Sequence, residues 1–204
     1  MLTKMYLTNF LSFSERTEFD FTASKYSILN ETNVYNDVLK GSLFIGPNAA
    51  GKSNALKGIA FIINMIKGEG VTFNRYRCRF SNNPFVTVEY EFIFSNKKVA
   101  YRIECNVKTN NISEELTVDN ILKLKRDGKK GQLRIGDSVS EDNQLDSNTL
   151  FLRTASFNTG RFPQEPVLRE LMNYLYNSYH IDGYNQSAPL GKNITRYADT
   201  EMLR

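Results

Sequence analysis

The chain has 204 residues, 41% of them hydrophobic, enough apolar material for one large domain or two small ones with a proper core. A net charge of +4 and an isoelectric point of about 9.0 permit an anionic partner without requiring one. The only cysteines, Cys78 and Cys105, lie far apart and lack metal-ligand spacing, which excludes a disulfide scaffold and a zinc cluster and reads as two buried reduced thiols.

Two strand-like stretches open the chain. Leu2, Met5, Tyr6, Leu7 and Phe10 crowd the first, and Thr17 to Phe21 alternates with period two. Ser12 to Arg16 is a polar turn between them, and the early alternation of polar with apolar residues is not that of a signal peptide. Tyr26 to Leu29 reads as a further short strand, followed by a loop over 30–36. Ser42-Leu43-Phe44-Ile45 has the character of a buried strand, and Asn54 to Ile66 that of a helix ended by Gly68 and Gly70. The most apolar window, Ile59 to Ile66, is too short to cross a bilayer, so the expectation is a cytoplasmic protein without a membrane span.

Between that strand and that helix stands Gly46-Pro47-Asn48-Ala49-Ala50-Gly51-Lys52-Ser53, which fits the phosphate-binding pattern G-x-x-x-x-G-K-[ST]. The chemistry asks for these residue types. Glycines reach backbone angles closed to other residues and let amide N–H groups approach phosphate oxygens. The following helix N-terminus adds unpaired donors and partial positive charge. Lys52 is expected to reach the β- and γ-phosphates of a nucleotide, and the Ser53 hydroxyl to ligate Mg²⁺.

The middle of the chain reads as an antiparallel meander. Phe85 to Phe94, Val99 to Val107 and Ile112 to Val118 alternate and are separated by polar turns. Ile121 to Lys125 and Gln132 to Ile135 form one more hairpin around Asp127 to Gly131. Ser138 to Asn148 reads as an exposed acidic loop, Thr149 to Leu152 as extended, and Glu165 to Tyr179 as a helix with Pro166 near its start. From His180 onward the chain is polar and glycine-dotted.

Several other residues invite functional readings. Arg75, Arg77 and Arg79 alternate with Tyr76, Cys78 and Phe80, so on a strand they would share one face and could track a nucleic-acid backbone; the plainer reading is a solvated strand. Lys123, Lys125, Arg126, Lys129 and Lys130 read as a solvated hairpin tip. Glu114 and Glu115 would point to opposite faces of a strand and so do not form a catalytic pair. His180, the lone histidine, sits beside Ile181-Asp182 in a polar setting and reads as a surface or packing residue.

Asn9-Phe10-Leu11-Ser12-Phe13, two preceding strands and G-P-N-A-A-G-K-S-N together resemble the ABC-type ATPase heads of SMC, RecF and OLD-family proteins, including the stand-alone AAA-type members of bacterial defence systems. The match falls on Asn9, Phe10, Ser12, Phe13, Gly46, Asn48, Gly51, Lys52, Ser53 and Asn54. The resemblance implies an α/β fold, a mixed sheet around the P-loop helix plus an antiparallel β-lobe. It divides the chain into a P-loop core (1–70), a β-lobe (71–160) and a helical or irregular segment (161–204). It implies ATP and Mg²⁺ held by Gly46 to Asn54, paired heads in a homodimer or higher oligomer, and an effector protein or nucleic acid as further partners.

The family's apolar strand ending in Asp-Glu and its serine-rich signature are not found, and its inter-lobe glutamine has only unsupported candidates in Gln132, Gln144, Gln164 and Gln186. The catalytic residues are therefore unassigned, and the chain reads as the N-terminal portion of an ATPase. The competing readings are a P-loop kinase, with Arg153, Arg161 and Arg169 as lid candidates, and a nucleotide-binding module that does not hydrolyse.

Overall fold

The computed structural model describes residues 1–24, 30–69, 72–163 and 165–179. Eight strands form one sheet: β1 (Leu2–Thr8), β2 (Thr17–Asp20), β5 (Phe85–Phe94), β6 (Lys97–Asn106), β7 (Asn111–Val118), β8 (Ile121–Asp127), β9 (Lys130–Ile135) and β10 (Ser138–Asp142). Their order is β10-β9-β8-β7-β6-β5-β1-β2, and every neighbouring pair is antiparallel. A separate two-stranded ribbon joins β3 (Val34–Tyr35) to β4 (Val38–Leu39), preceded by the single turn α1 (Asn30–Asn33).

The meander follows from the sequence pattern. β5, β6 and β7 alternate buried apolar with exposed polar residues, as a sheet with one wet face requires. The turns use Ser95-Asn96, Asp119-Asn120 and Gly128, all at positive φ, which suits the twist of tight hairpins. The outer face carries Lys4 with Glu18 and Asp20, Arg16 with Glu89, and Arg102 with Glu104. These exposed pairs contribute to solubility more than to stability.

Three helices cover the other face: α2 (Lys52–Lys67), α3 (Phe151–Phe157) and α4 (Pro166–Tyr176). Helix α2 comes close to β1 at Gly58, where an added Cβ would lie 2.9 Å from Leu7 Cδ2 and Met5 Sδ. The Tyr90 hydroxyl on β5 donates to the Gly58 carbonyl at 2.6 Å. Phe61 of α2 meets Phe10, Phe73 and Tyr76, and Tyr174 of α4 meets Phe92 and Phe94. One contiguous core results.

The α/β class with its large antiparallel sheet agrees with expectation, while four local readings are corrected. Among the described residues no strand runs parallel, and β1 and β2 belong to the same sheet as β5 to β10. Residues 42–45 are not a buried strand: they pair with nothing, and Leu43 and Ile45 are 83% and 85% exposed. Residues 138–142, read as loop, form the edge strand β10. Residues 151–157, whose start was read as extended, are helical, because a buried carboxylate described below caps their first amides. The strand expected at 26–29 lies outside the described residues.

Candidate functional site: a glycine turn at the start of α2

Pro47 to Ala50 make a tight turn, with the Ala50 amide donating to the Pro47 carbonyl at 3.3 Å. Gly51 then caps α2 at φ 89, in the left-handed region that only glycine enters freely. An added Cβ there would stand 3.1 Å from Ser12 Oγ and 3.3 Å from Phe13 Cζ. Gly46 differs from the sequence reading: its φ is not positive and its Cβ position meets only Ala50 Cβ at 3.6 Å. The other left-handed residue of the turn is Ala49, at φ 62.

The α2 N-terminus has no side-chain cap and no acid in its first turn. Its first amides are therefore free to donate to an anion, and nothing repels one. Lys52 Nζ folds back onto the carbonyls of Gly46 and Pro47, at 2.7 and 2.6 Å. These are neutral acceptors, which a phosphate oxygen outcompetes through a charge-assisted bond. Ser53 is exposed beside it and makes no hydrogen bond among the described residues, so its hydroxyl is available to a hydrated cation.

Two remote stretches meet this turn. Phe10 and Phe13 exchange both backbone hydrogen bonds at 2.8 Å around Leu11, itself at φ 51, forming a tight loop at the end of β1. Ser12 Oγ accepts from Asn54 Nδ2 at 3.0 Å, and Phe13 packs over Gly51. Asn9 holds the loop from beneath, donating to the carbonyls of Asn83 and Phe85 at 2.7 and 2.8 Å. The fold thus brings together Asn9, Phe10, Ser12, Phe13, Gly51, Lys52, Ser53 and Asn54. Beside the turn, Phe13, Phe19, Leu43, Phe44 and Ile45 line a cavity of about 300 Å³ that also reaches Ala50, Gly51, Lys52 and Ala55.

Other sequence candidates fall elsewhere. Arg75, Arg77 and Arg79 do not share a strand face: Phe73–Arg75 is a 3-10 turn, and the segment is folded by the inward packing of Phe73, Tyr76 and Cys78. Arg153 bonds the Ile66 carbonyl at the C-terminal end of α2, about 24 Å from the glycine turn along a 16-residue helix. Arg161 pairs with Asp142 at 3.0 Å on the β10 side. Those two lid candidates therefore stand away from the turn, and Arg169 is exposed on α4. Gln132 is exposed and donates to Glu141, and Gln144 is exposed too. His180, Gln164 and Gln186 lie outside the described residues.

Sequence reasoning missed one buried cluster. Glu114 is fully buried and accepts from Tyr101 Oη (2.5 Å), Arg126 Nη1 (3.1 Å) and the amides of Phe151 (2.7 Å) and Leu152 (3.3 Å). Arg126, read as a solvated hairpin cation, is 2% exposed and also donates to the carbonyls of Gly128, Asp146 and Thr149. Glu115 points the other way and pairs with Lys125, so the two glutamates do occupy opposite faces. No group of acids, histidines and cysteines among the described residues could hold a metal by itself, and no helix among them is long and apolar enough to cross a membrane.

A family model described as "AAA domain, putative AbiEii toxin, Type IV TA system" matches residues 42–160, more than half of the chain. No curated protein matches it.

Proposed function

The chain belongs to this family of AAA domains, and from that premise we propose that it is the ATP-binding portion of an ABC-type ATPase head of the SMC, RecF and OLD kind. The observation that carries the reading is the uncapped start of α2, where Gly51 at φ 89 and a lysine resting on loop carbonyls leave amides ready for phosphate. Gly46 to Asn54 would surround the phosphates, with Lys52 as the charged contact and Ser53 as the protein ligand of Mg²⁺. The cation would neutralise phosphate charge, as it does in P-loop enzymes generally.

The family's description points to a bacterial defence or toxin–antitoxin setting, and DNA maintenance is the neighbouring alternative. Nucleotide binding would then gate a partner protein or nucleic acid, through pairing of two heads. Among the described residues no carboxylate lines the cavity beside Lys52, so water activation would fall to groups outside it. This favours a nucleotide-gated module over a kinase, whose lid arginines would have to lie near the phosphates.

Calorimetry with ATP·Mg²⁺ tests the reading. Lys52→Ala should lose on the order of 1.5–3 kcal/mol of binding free energy, the contribution of a charged hydrogen bond. Ser53→Ala should weaken binding with Mg²⁺ present and leave binding in EDTA nearly unchanged. Equal affinity of Lys52→Ala and the parent would sink the assignment.

A further inference from the structure

We propose that the turn at Cys78–Ser81 is a docking point for another protein, one that offers Phe80 an apolar pocket rimmed by carboxylates. The surface is separate from the phosphate site proposed above and does not depend on it. Phe80 is 92% exposed, more than any other large apolar side chain among the described residues. A single apolar side chain at the surface is ordinary, and what sets this one apart is how its backbone is held.

The Ser81 amide donates to the Cys78 carbonyl at 3.3 Å, which closes a turn with Arg79 and Phe80 at its two central positions. Both flanks are anchored. Cys78 is fully buried, and its amide donates to the Asn9 carbonyl at 3.0 Å. On the other side the Asn83 amide donates to Ser81 Oγ at 3.2 Å, and the Asn9 side chain donates to the carbonyls of Asn83 and Phe85. Neither Arg79 nor Phe80 has a positive φ, so the turn presents them without backbone strain. A backbone held ready in this way loses little freedom on binding, which lowers the cost of association.

Charge and shape define what fits the turn. Arg75, Arg77 and Arg79 lie in a stretch with no Asp or Glu between positions 70 and 88. Arg77 is used internally, donating to the Ser81 carbonyl at 3.4 Å. Arg75 and Arg79 are exposed and make no ion pair among the described residues, whereas Arg16, Arg102 and Arg161 each hold a carboxylate. Free guanidinium forks match carboxylates, and aromatic residues with arginine are the side chains enriched where proteins meet. No residue from 73 to 85 lines the cavity beside the glycine turn, so the hollow that receives Phe80 belongs to the partner. A nucleic-acid strand fits less well, because it lies in a basic groove along successive rings. Here one ring stands at the apex of a turn, and the arginines share no strand face. The Leu11 amide donates to the Tyr76 carbonyl at 2.6 Å, and the same loop packs Ser12 and Phe13 over Gly51, so the docking point and the glycine turn share one loop.

Photocrosslinking tests the proposal. The full chain carrying Phe80→p-benzoylphenylalanine is produced in the cells that hold its gene and illuminated, with Tyr35→p-benzoylphenylalanine, at a position 58% exposed, as the control. A protein should be captured from position 80 and not from position 35, and mass spectrometry should place the attachment among apolar residues and carboxylates. Adding Arg75→Gln and Arg79→Gln together should cut the yield by about threefold or more, the scale of two exposed ion pairs. Both arginines are exposed, so the urea midpoint should stay where it is. Capture no stronger than at position 35 overturns the proposal, as does an attachment site without acidic residues or a yield indifferent to the arginines. A crosslinked product destroyed by nuclease also overturns it and assigns the turn to nucleic acid.

Discussion

Two residues of the glycine turn before α2 occupy the left-handed region, and they differ in what they cost. Gly51, at φ 89, also has Ser12 and Phe13 packed where a Cβ would go. Ala49 holds φ 62 with a Cβ already present, a conformation that is unfavourable by about 1–2 kcal/mol for an L-residue. Gly51→Ala is therefore expected to destabilise the fold by about 1–2 kcal/mol, and Ala49→Gly to be neutral or to stabilise by less than about 1 kcal/mol, since glycine's freedom in the unfolded chain offsets part of the relief. Urea unfolding of the two variants should show midpoints moving in opposite directions or only the Gly51 variant moving; a loss in both would mean that Ala49 is not strained. Burial shapes the titration of other residues. It pushes the Cys105 thiol up to about 12, and it holds the hydroxyls of Tyr90 and Tyr101 well above their usual 10, with Glu114 adding to the effect at Tyr101. Each group stays protonated in the folded chain at a pH where the unfolded chain ionises. Their contribution is complete below pH 9 and is lost as the pH climbs toward the folded-state values, by up to about 1.4 kcal/mol per pH unit for each group. A urea midpoint that falls between pH 8 and pH 11 is expected, and a flat one would mean that these groups ionise without unfolding.

At the scale of elements, Glu114 ties four pieces of chain together. It receives Tyr101 from β6, Arg126 from β8 and the first amides of α3, so a strand carboxylate takes the place of the missing cap at Leu150. Arg126 in turn holds the carbonyls of Asp146 and Thr149, which fixes the loop that delivers α3 to the sheet. A buried ion pair is seldom worth more than apolar packing, yet breaking one leaves an uncompensated charge. Glu114→Gln keeps the shape and strands Arg126, so a loss of about 3–5 kcal/mol is expected in thermal or denaturant unfolding. A variant as stable as the parent would mean that Arg126 finds enough partners in the three carbonyls alone. The cluster was not legible in the alternation of β7. That pattern placed Glu114 and Glu115 on opposite faces correctly, but which face is covered depends on where α3 lies. Arg126 was misread for the same reason, since its neighbours Lys123, Lys125, Lys129 and Lys130 carry the look of a solvated tip.

For the whole molecule, the division of labour is between a closed face and an open one. Helices α2, α3 and α4 seal one side of the sheet, while the glycine turn and the run at 42–45 remain at the surface. Because Leu43 and Ile45 are 83% and 85% exposed, replacing both with threonine is expected to change folding stability by less than about 0.5 kcal/mol per residue. Differential scanning calorimetry would check this, and a loss of several kcal/mol would return residues 42–45 to a buried strand. The sequence by itself determined the meander from β5 to β8, the helix α2 and the glycine turn before it, because each rests on contacts or dihedral demands local to a few residues. Alternation sets the strands, turn residues set their ends, and left-handed geometry selects Gly51. Only the tertiary structure decided that β1 lies between β5 and β2, that Ser12 and Phe13 close over Gly51, and that Glu114 is buried. It also decided that the apolar run before the turn is uncovered. These outcomes depend on which distant segments arrive at a given face, and hydrophobicity records a residue's tendency to be covered without recording what covers it.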